Sequence, residues 1–356
     1  MFLQNVKKQR ESAVVEKNES GKRIEYIDTL RVIACFLVIL THSTRPVCDA
    51  SLGIWLAAIS FLGSPSSELF LSLSGTVLLP VSKSMREFYH RRFMKLVPPL
   101  FFWSVIILGI RLFQNQISAA QFIEIVLFLP LKPAIGVYWF VYAIAGLYLL
   151  APFISTWLKD CSKKQLEFVL SLWLINMLVP YLNLLPVNAT FTNDSHYWLL
   201  NYFSGFLGYW LLGHYLHVYP VKVSINAKWI MLCICVIAYV CALLSIKLSG
   251  LDVNPYMDNL QIGSAFLVAM LYTVIQSYPI KVDLIRRIIR EIAKYSFGIY
   301  LIHIVVVRDI IWRLFQSSML HPVLDTFMIA TLSLIVCYSI VKLIGYLPFG
   351  KYIIGI

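Results

Sequence analysis

Ten stretches of this chain stay apolar for about the twenty residues that a helix needs to cross a bilayer, and that pattern limits the fold more than any single motif. They run over about 26–44, 66–81, 97–114, 136–158, 166–184, 198–217, 228–248, 260–278, 296–315 and 323–346. In hydrocarbon each backbone N–H and C=O must be satisfied within the chain, so such runs become helices. Only 13% of the residues are charged and the mean hydropathy is +0.76, whereas a soluble domain carries roughly 25% charge. The sequence therefore predicts an all-α fold, a polytopic integral membrane protein of about ten transmembrane helices seated in a lipid bilayer. The second run is the least regular, since 53–63 is apolar as well and Gly63-Ser-Pro-Ser-Ser67 interrupts it. No internal repeat divides the chain. It reads as a basic tail, 1–25, without the apolar core of a secretory signal, followed by one transmembrane domain, 26–356.

The basic residues give the expected orientation. Six Lys and Arg fall in 1–25, five in 82–95, three in 159–164, two in 218–228 and five in 279–294, with Lys351 near the end. The alternate connections hold only Arg45, Lys132 and, at a helix end, Lys247. Positive charge is retained on the cytoplasmic side, so both termini are expected there and the number of spans is even. Topology thus accounts for the net charge of +12, and no nucleic acid is called for as a partner. The seven cysteines (35, 48, 161, 233, 235, 241 and 337) are scattered, mostly through apolar runs, and suggest neither a disulfide framework nor a metal site.

The first apolar run carries Arg31 near its start and His42 near its end. Eleven helical residues return to within about 20° of the same face after a rise of roughly 16 Å, so both polar heads look into one groove at two depths. An ionisable side chain at membrane depth costs at least ~2.5 kcal/mol on insertion scales and normally faces a protein interior or a watery path. Asp28 stands where it can cap the helix or pair with Arg31. With the predicted orientation, a long anionic substrate from the cytoplasm meets Arg31 with its charged part while its far end reaches His42. This geometry requires the two side chains to share a face and a passage to join their levels.

Five motifs in order carry a family resemblance. They are Tyr26-Ile-Asp-Thr-Leu-Arg31-Val-Ile-Ala34 with His42, Glu68-Leu-Phe-Leu-Ser-Leu-Ser-Gly75, Phe88-Tyr-His-Arg-Arg-Phe-Met-Lys-Leu-Val-Pro-Pro99, Tyr138-Trp-Phe with Tyr148 and Pro152, and Tyr295-Ser-Phe-Gly-Ile-Tyr-Leu-Ile-His303. Along most of its length the chain resembles the acyltransferase family 3 membrane proteins, among them O-acetyltransferases of bacterial surface glycans. Thr29 and Val32 stand where that family often has glycine, and Lys95 where it has arginine. The resemblance implies an acyl-CoA donor, most often acetyl-CoA, used from the cytoplasmic side of the bacterial inner membrane. It also implies a hydroxyl acceptor on an envelope polysaccharide or its lipid-linked precursor, and it makes Arg31 and His42 the residues required for activity.

Each candidate also has a plainer reading. His42 is a general base or an acyl-carrying nucleophile; the plain alternative is a polar residue wetted at the outer interface. Arg31 either holds the phosphates or pantetheine arm of the donor, for which a fixed guanidinium fork is suited, or snorkels to the headgroups. Arg91 and Arg92 are donor-phosphate ligands or ordinary inside-positive anchors. Ser74, beside Gly75, touches substrate or merely permits close helix packing. Tyr138 and Trp139 stack on a sugar or belong to an aromatic belt. His303 is placed on the cytoplasmic half of the ninth span, in a polar cluster between helices rather than in the chemistry, and His214 and His217 at the interface. The loop 192–198 touches the acceptor or is simply solvated. A transporter of a glycan or lipid-linked intermediate, with Arg31 and His42 in its substrate path, is the competing function; transporters often show repeat symmetry, which this chain lacks.

Overall fold

The computed structural model describes residues 24–44, 58–59, 62–184, 199–250, 260–315 and 321–356. The tail up to residue 23, Cys48 and the loop 192–198 lie outside them. The described residues form thirteen helices and no strand: α1 (Glu25–Ser43), α2 (Ser66–Leu78), α3 (Met85–Phe113), α4 (Ala119–Phe128), α5 (Trp139–Asp160), α6 (Lys163–Asn176), α7 (Leu207–Val218), α8 (Ile225–Leu248), α9 (Ile262–Gln276), α10 (Asp283–Lys294), α11 (Ser296–Val305), α12 (Pro322–Gly345) and α13 (Gly350–Ile354), with short 3-10 turns between some of them. After α11 the chain continues through a π-helical stretch, Val306–Ile311, and one last turn, Trp312–Leu314.

Five of these are long and apolar enough to cross a membrane: α1, α3, α5 with the turn before it, α8 and α12. The other expected spans are built on shorter helices. α2, α6, α7 and α9 have 13, 14, 12 and 15 residues, and at 1.5 Å per residue each covers less than the ~30 Å of a hydrocarbon core. Outward faces are apolar, as lipid contact demands: on α8, Ile230, Ile234 and Ile237 recur at helical spacing and are 60, 60 and 61% exposed.

Two segments taken as basic connections are helical. In α3 the helix starts at Met85, twelve residues before the predicted span, because Ser84 caps it by accepting from the Glu87 N–H at 3.3 Å. Glu87 then pairs with Lys83 at 2.7 Å and Arg91 at 2.9 Å, one turn to either side. The stretch 283–294 likewise forms α10, opened by the Asp283–Arg286 pair at 2.8 Å.

α1 is the central rod. Half of its apolar window is buried inside the protein, against a third or less for the other four long helices. It packs on α2, α9, α10, α11 and α12. The α10–α11 rod lies parallel to it in fixed register: Arg286 Nε sits 3.0 Å from Glu25 Oε1, the Cys35 thiol meets the Ser296 carbonyl at 3.7 Å, and the rings of His42 and His303 are 5.3 Å apart. All three pairs are separated by 261 residues in the chain. We refer below to the Glu25 end and the His42 end of the bundle.

α2 and α7 approach until backbones touch. A Cβ built on Gly75 would stand 1.9 Å from the Trp210 carbonyl oxygen, and one on Gly213 only 1.8 Å from that of Ser72. Small residues at such crossings are what membrane helices use to come close. A polar chain locks the same layer to α1 and α9: the Thr76 hydroxyl lies 2.9 Å from the Gly213 carbonyl and 2.8 Å from Tyr272, whose hydroxyl is 3.2 Å from that of Tyr26, itself 2.6 Å from His217 Nδ1. His217 is thus tied into the packing, and His214 is buried.

Candidate functional site

At the His42 end the helix ends converge around a cavity of about 530 Å³, within the range usual for ligand sites. α1 supplies Val38, Thr41 and His42, and the start of α2 supplies Ser66 and Ser67. The end of α3 contributes Arg111, the turn before α5 contributes Val137, α5 contributes its first residue, Trp139, and the α11 rod contributes Tyr300, Arg308 and Asp309. Arg308 and Asp309 lie in the π-helical stretch, a distortion that recurs at functional sites. A half-buried imidazole therefore opens onto hydroxyls, two guanidinium groups, one carboxylate and an indole.

His303 lies beside His42. It is fully buried, and its Nδ1 is 2.5 Å from the Tyr300 carbonyl. The expectation that His303 and His42 sit in opposite halves of the membrane does not hold, since their rings are 5.3 Å apart. Because the rod begins at Asp283 rather than at 296, His303 is about 30 Å along it and reaches the level of His42. Below the two imidazoles the rings of Phe70, Phe140 and Tyr300 pack together, with centroids 6.0 and 5.3 Å apart.

A second polar cluster sits toward the Glu25 end. Arg92, the Ser74 hydroxyl and Arg31 all act electrostatically on the Tyr148 hydroxyl. Trp210 Nε1 donates to the same Ser74 hydroxyl at 3.2 Å. Arg31 is loosely paired with Asp28 at 4.0 Å and a third exposed. Residues from α1, α2, α3, α5 and α7 meet here, although they are far apart in sequence.

The candidates thus divide between two places. His42 and Trp139 line the cavity, Trp139 stacking on Phe206 at 5.2 Å. Arg31, Arg92 and Ser74 gather around Tyr148. Arg91 points to the surface, where it pairs with Glu87. Tyr138 does not line the cavity: it is fully buried and its hydroxyl donates to the Leu301 carbonyl at 2.8 Å. Tyr138→Phe should therefore cost about 0.5–1.5 kcal/mol of stability, the usual value of one such bond, and leave the substrate KM unchanged; thermal unfolding in detergent and a substrate titration measure the two. Along α1 the cavity lining runs no deeper than Val38, so the cavity itself does not extend to Arg31. Among the described residues no three His, Cys, Asp or Glu side chains gather to hold a metal.

Sequence reasoning did not select Arg111, Arg308 or Asp309 as site residues. The only available signal for the last two was their place one to two turns after His303, which matters only once the span is known to start at 283.

The family model of an acyltransferase domain, acyltransferase family 3, matches residues 24–342. The chain belongs to that family. No curated protein and no solved structure matches it. A membrane acyltransferase is thereby supported over a transporter, and the matched region includes both polar clusters and every helix that builds them.

Proposed function

We propose that this acyltransferase takes an acyl group, most simply acetyl, from cytoplasmic acyl-CoA and places it on a hydroxyl of an envelope glycan or its lipid-linked precursor. The observation that carries the reading is the polarity of α1: two guanidinium groups gather near its start, and an imidazole opens into a cavity near its other end, ~16 Å away. That span is on the scale of a pantetheine arm. The Glu25 end is the cytoplasmic one, with both termini there, in the inner membrane of a bacterium. Together with the α10–α11 rod, the shorter helices complete about ten spans.

In this scheme Arg31 and Arg92 bind donor phosphates, and the arm reaches His42 once Phe70, Phe140 and Tyr300 part. Arg91, turned to the surface, adds only to the local field. The acceptor enters the cavity past Trp139, which offers a flat face to a sugar. As the acceptor oxygen attacks the thioester carbonyl, its proton passes to His42. The tetrahedral intermediate collapses with cleavage of the C–S bond, and His42 returns the proton to the departing thiolate, leaving an ester and free thiol.

Removing a charge-assisted contact to a phosphate is worth roughly 10–100-fold in affinity. Arg31→Ala and Arg92→Ala should each raise the KM for acetyl-CoA by about that factor, with Arg31→Lys in between because an ammonium keeps charge but loses the fork. Mass analysis of surface glycans from cells carrying each variant tests the whole reading. Loss of one acyl unit identifies the transferred group, whereas glycans identical with and without the protein would sink it.

A further inference from the structure

The cavity is not the only thing that His42 faces. Beside it, outside the cavity lining, is His303, an imidazole whose chemistry is fixed by its surroundings. A carbonyl oxygen can only accept, so the nitrogen that meets the Tyr300 carbonyl, Nδ1, carries the proton. Nε2 of the neutral ring is then a bare acceptor. It is buried and has no hydrogen-bond partner among the described residues. A buried acceptor left open costs stability, and its persistence within the membrane points to use.

Packed against this ring is the imidazole of His42, which can supply an N–H donor. Two imidazoles joined nitrogen to nitrogen by one hydrogen bond have ring centres about 5 Å apart; here the separation is 5.3 Å, with the planes tilted by 40°. Arg308 is the cation nearby, and its guanidinium lies over the Trp312 ring, 5.8 Å from the centroid.

We infer that His303 is a positioning residue for His42, accepting a hydrogen bond from the nitrogen of His42 that faces away from the cavity. The inference rests on the assignment of His42 as the base. The bond fixes the His42 tautomer, so that its cavity-facing nitrogen carries the lone pair. When that nitrogen takes the acceptor's proton, the opposite N–H becomes part of an imidazolium, and the bond to His303 strengthens at the moment of transfer. His303 itself touches no substrate and gains no proton: Tyr300 holds one of its nitrogens and His42 fills the other.

The test uses the full-length protein in membrane vesicles, with [14C]acetyl-CoA as donor and the vesicles' own glycan fraction as acceptor. His303→Leu removes the acceptor atom, and His303→Gln keeps an oxygen that can take the same bond. Folded protein in each sample is measured by gel filtration of a fluorescent fusion, and rates are given per folded molecule. The expected result is a kcat lowered about 10–100-fold in His303→Leu, an unchanged KM for acetyl-CoA, and recovery of most of the rate in His303→Gln. A wild-type kcat in His303→Leu overturns the inference, as does an equal loss of kcat in both variants. Wild-type vesicles that move no label to glycan overturn the donor assignment, and this inference with it; full activity in His42→Ala removes the base and leaves the donor assignment standing.

Discussion

Replacing His42 by alanine is expected to lower acyl transfer about 10²–10⁴-fold per folded molecule, the range over which a positioned general base contributes. The large effect follows from position. His42 is the only imidazole among the described residues lining the cavity, where it stands with Arg111, Arg308 and Asp309, and an imidazole is the side chain best suited to general-base work near neutral pH. Folding should be little affected, since His42 is half-buried and, among the described residues, its one ring neighbour is His303. The measurement is transfer of labelled acetyl to the glycan fraction at matched protein level. Equal transfer by wild type and variant would take His42 out of the chemistry.

The second large effect is on folding and lies far from the chemistry. Gly213→Val should deprive the protein of its native packing, because the new Cβ would stand 1.8 Å from the Ser72 carbonyl oxygen and 2.5 Å from its carbon. Those are backbone atoms, which cannot turn aside as a side chain can, so α2 and α7 would have to separate by more than 1 Å. Overpacking costs ~1–3 kcal/mol when side chains yield. Here the cost should be about 3 kcal/mol or more, a large share of the 5–15 kcal/mol that holds a typical protein folded. Gly109 is the control, since nothing lies within 4 Å of a Cβ built there; Gly109→Ala should leave stability unchanged or raise it by up to about 1 kcal/mol. Gel filtration and thermal unfolding of both variants decide the matter. A monodisperse Gly213→Val melting with the wild type would show that the two helices are free to part.

The membrane character and the role of α1 as organiser were legible in the sequence, because a long apolar run with two ionisable residues on one face has few ways to fold. Helix lengths were less legible. Hydropathy marks which residues tolerate lipid, but α2 and α7 are held by their close crossing and by the Thr76 chain and need not span the full thickness alone. The basic segments at the start of α3 and within α10 look like connections when charge is weighed only as topology, yet Ser84, Glu87 and Asp283 build helices from them. At the site, spacing on one helix gave Arg31 and His42. It could not show that Arg92, a candidate on its own basic segment, and Tyr148 would join Arg31, or that His303 would lie beside His42, because those groupings arise only through packing between helices remote in sequence. Tyr138 shows the converse: its aromatic character suggested sugar stacking, but the fold uses its hydroxyl to tie the start of α5 to α11.

The constant offset of 261 residues between α1 and its parallel partner bears on how the protein is made. At ~5–20 residues per second, the ribosome adds His303 roughly 13–50 s after His42. For that interval α1 must enter the lipid with an arginine and a histidine whose eventual neighbour has not been synthesised. The cavity is walled only when the last quarter of the polypeptide closes on the first, so a nascent or truncated product holds its lining in two separate halves.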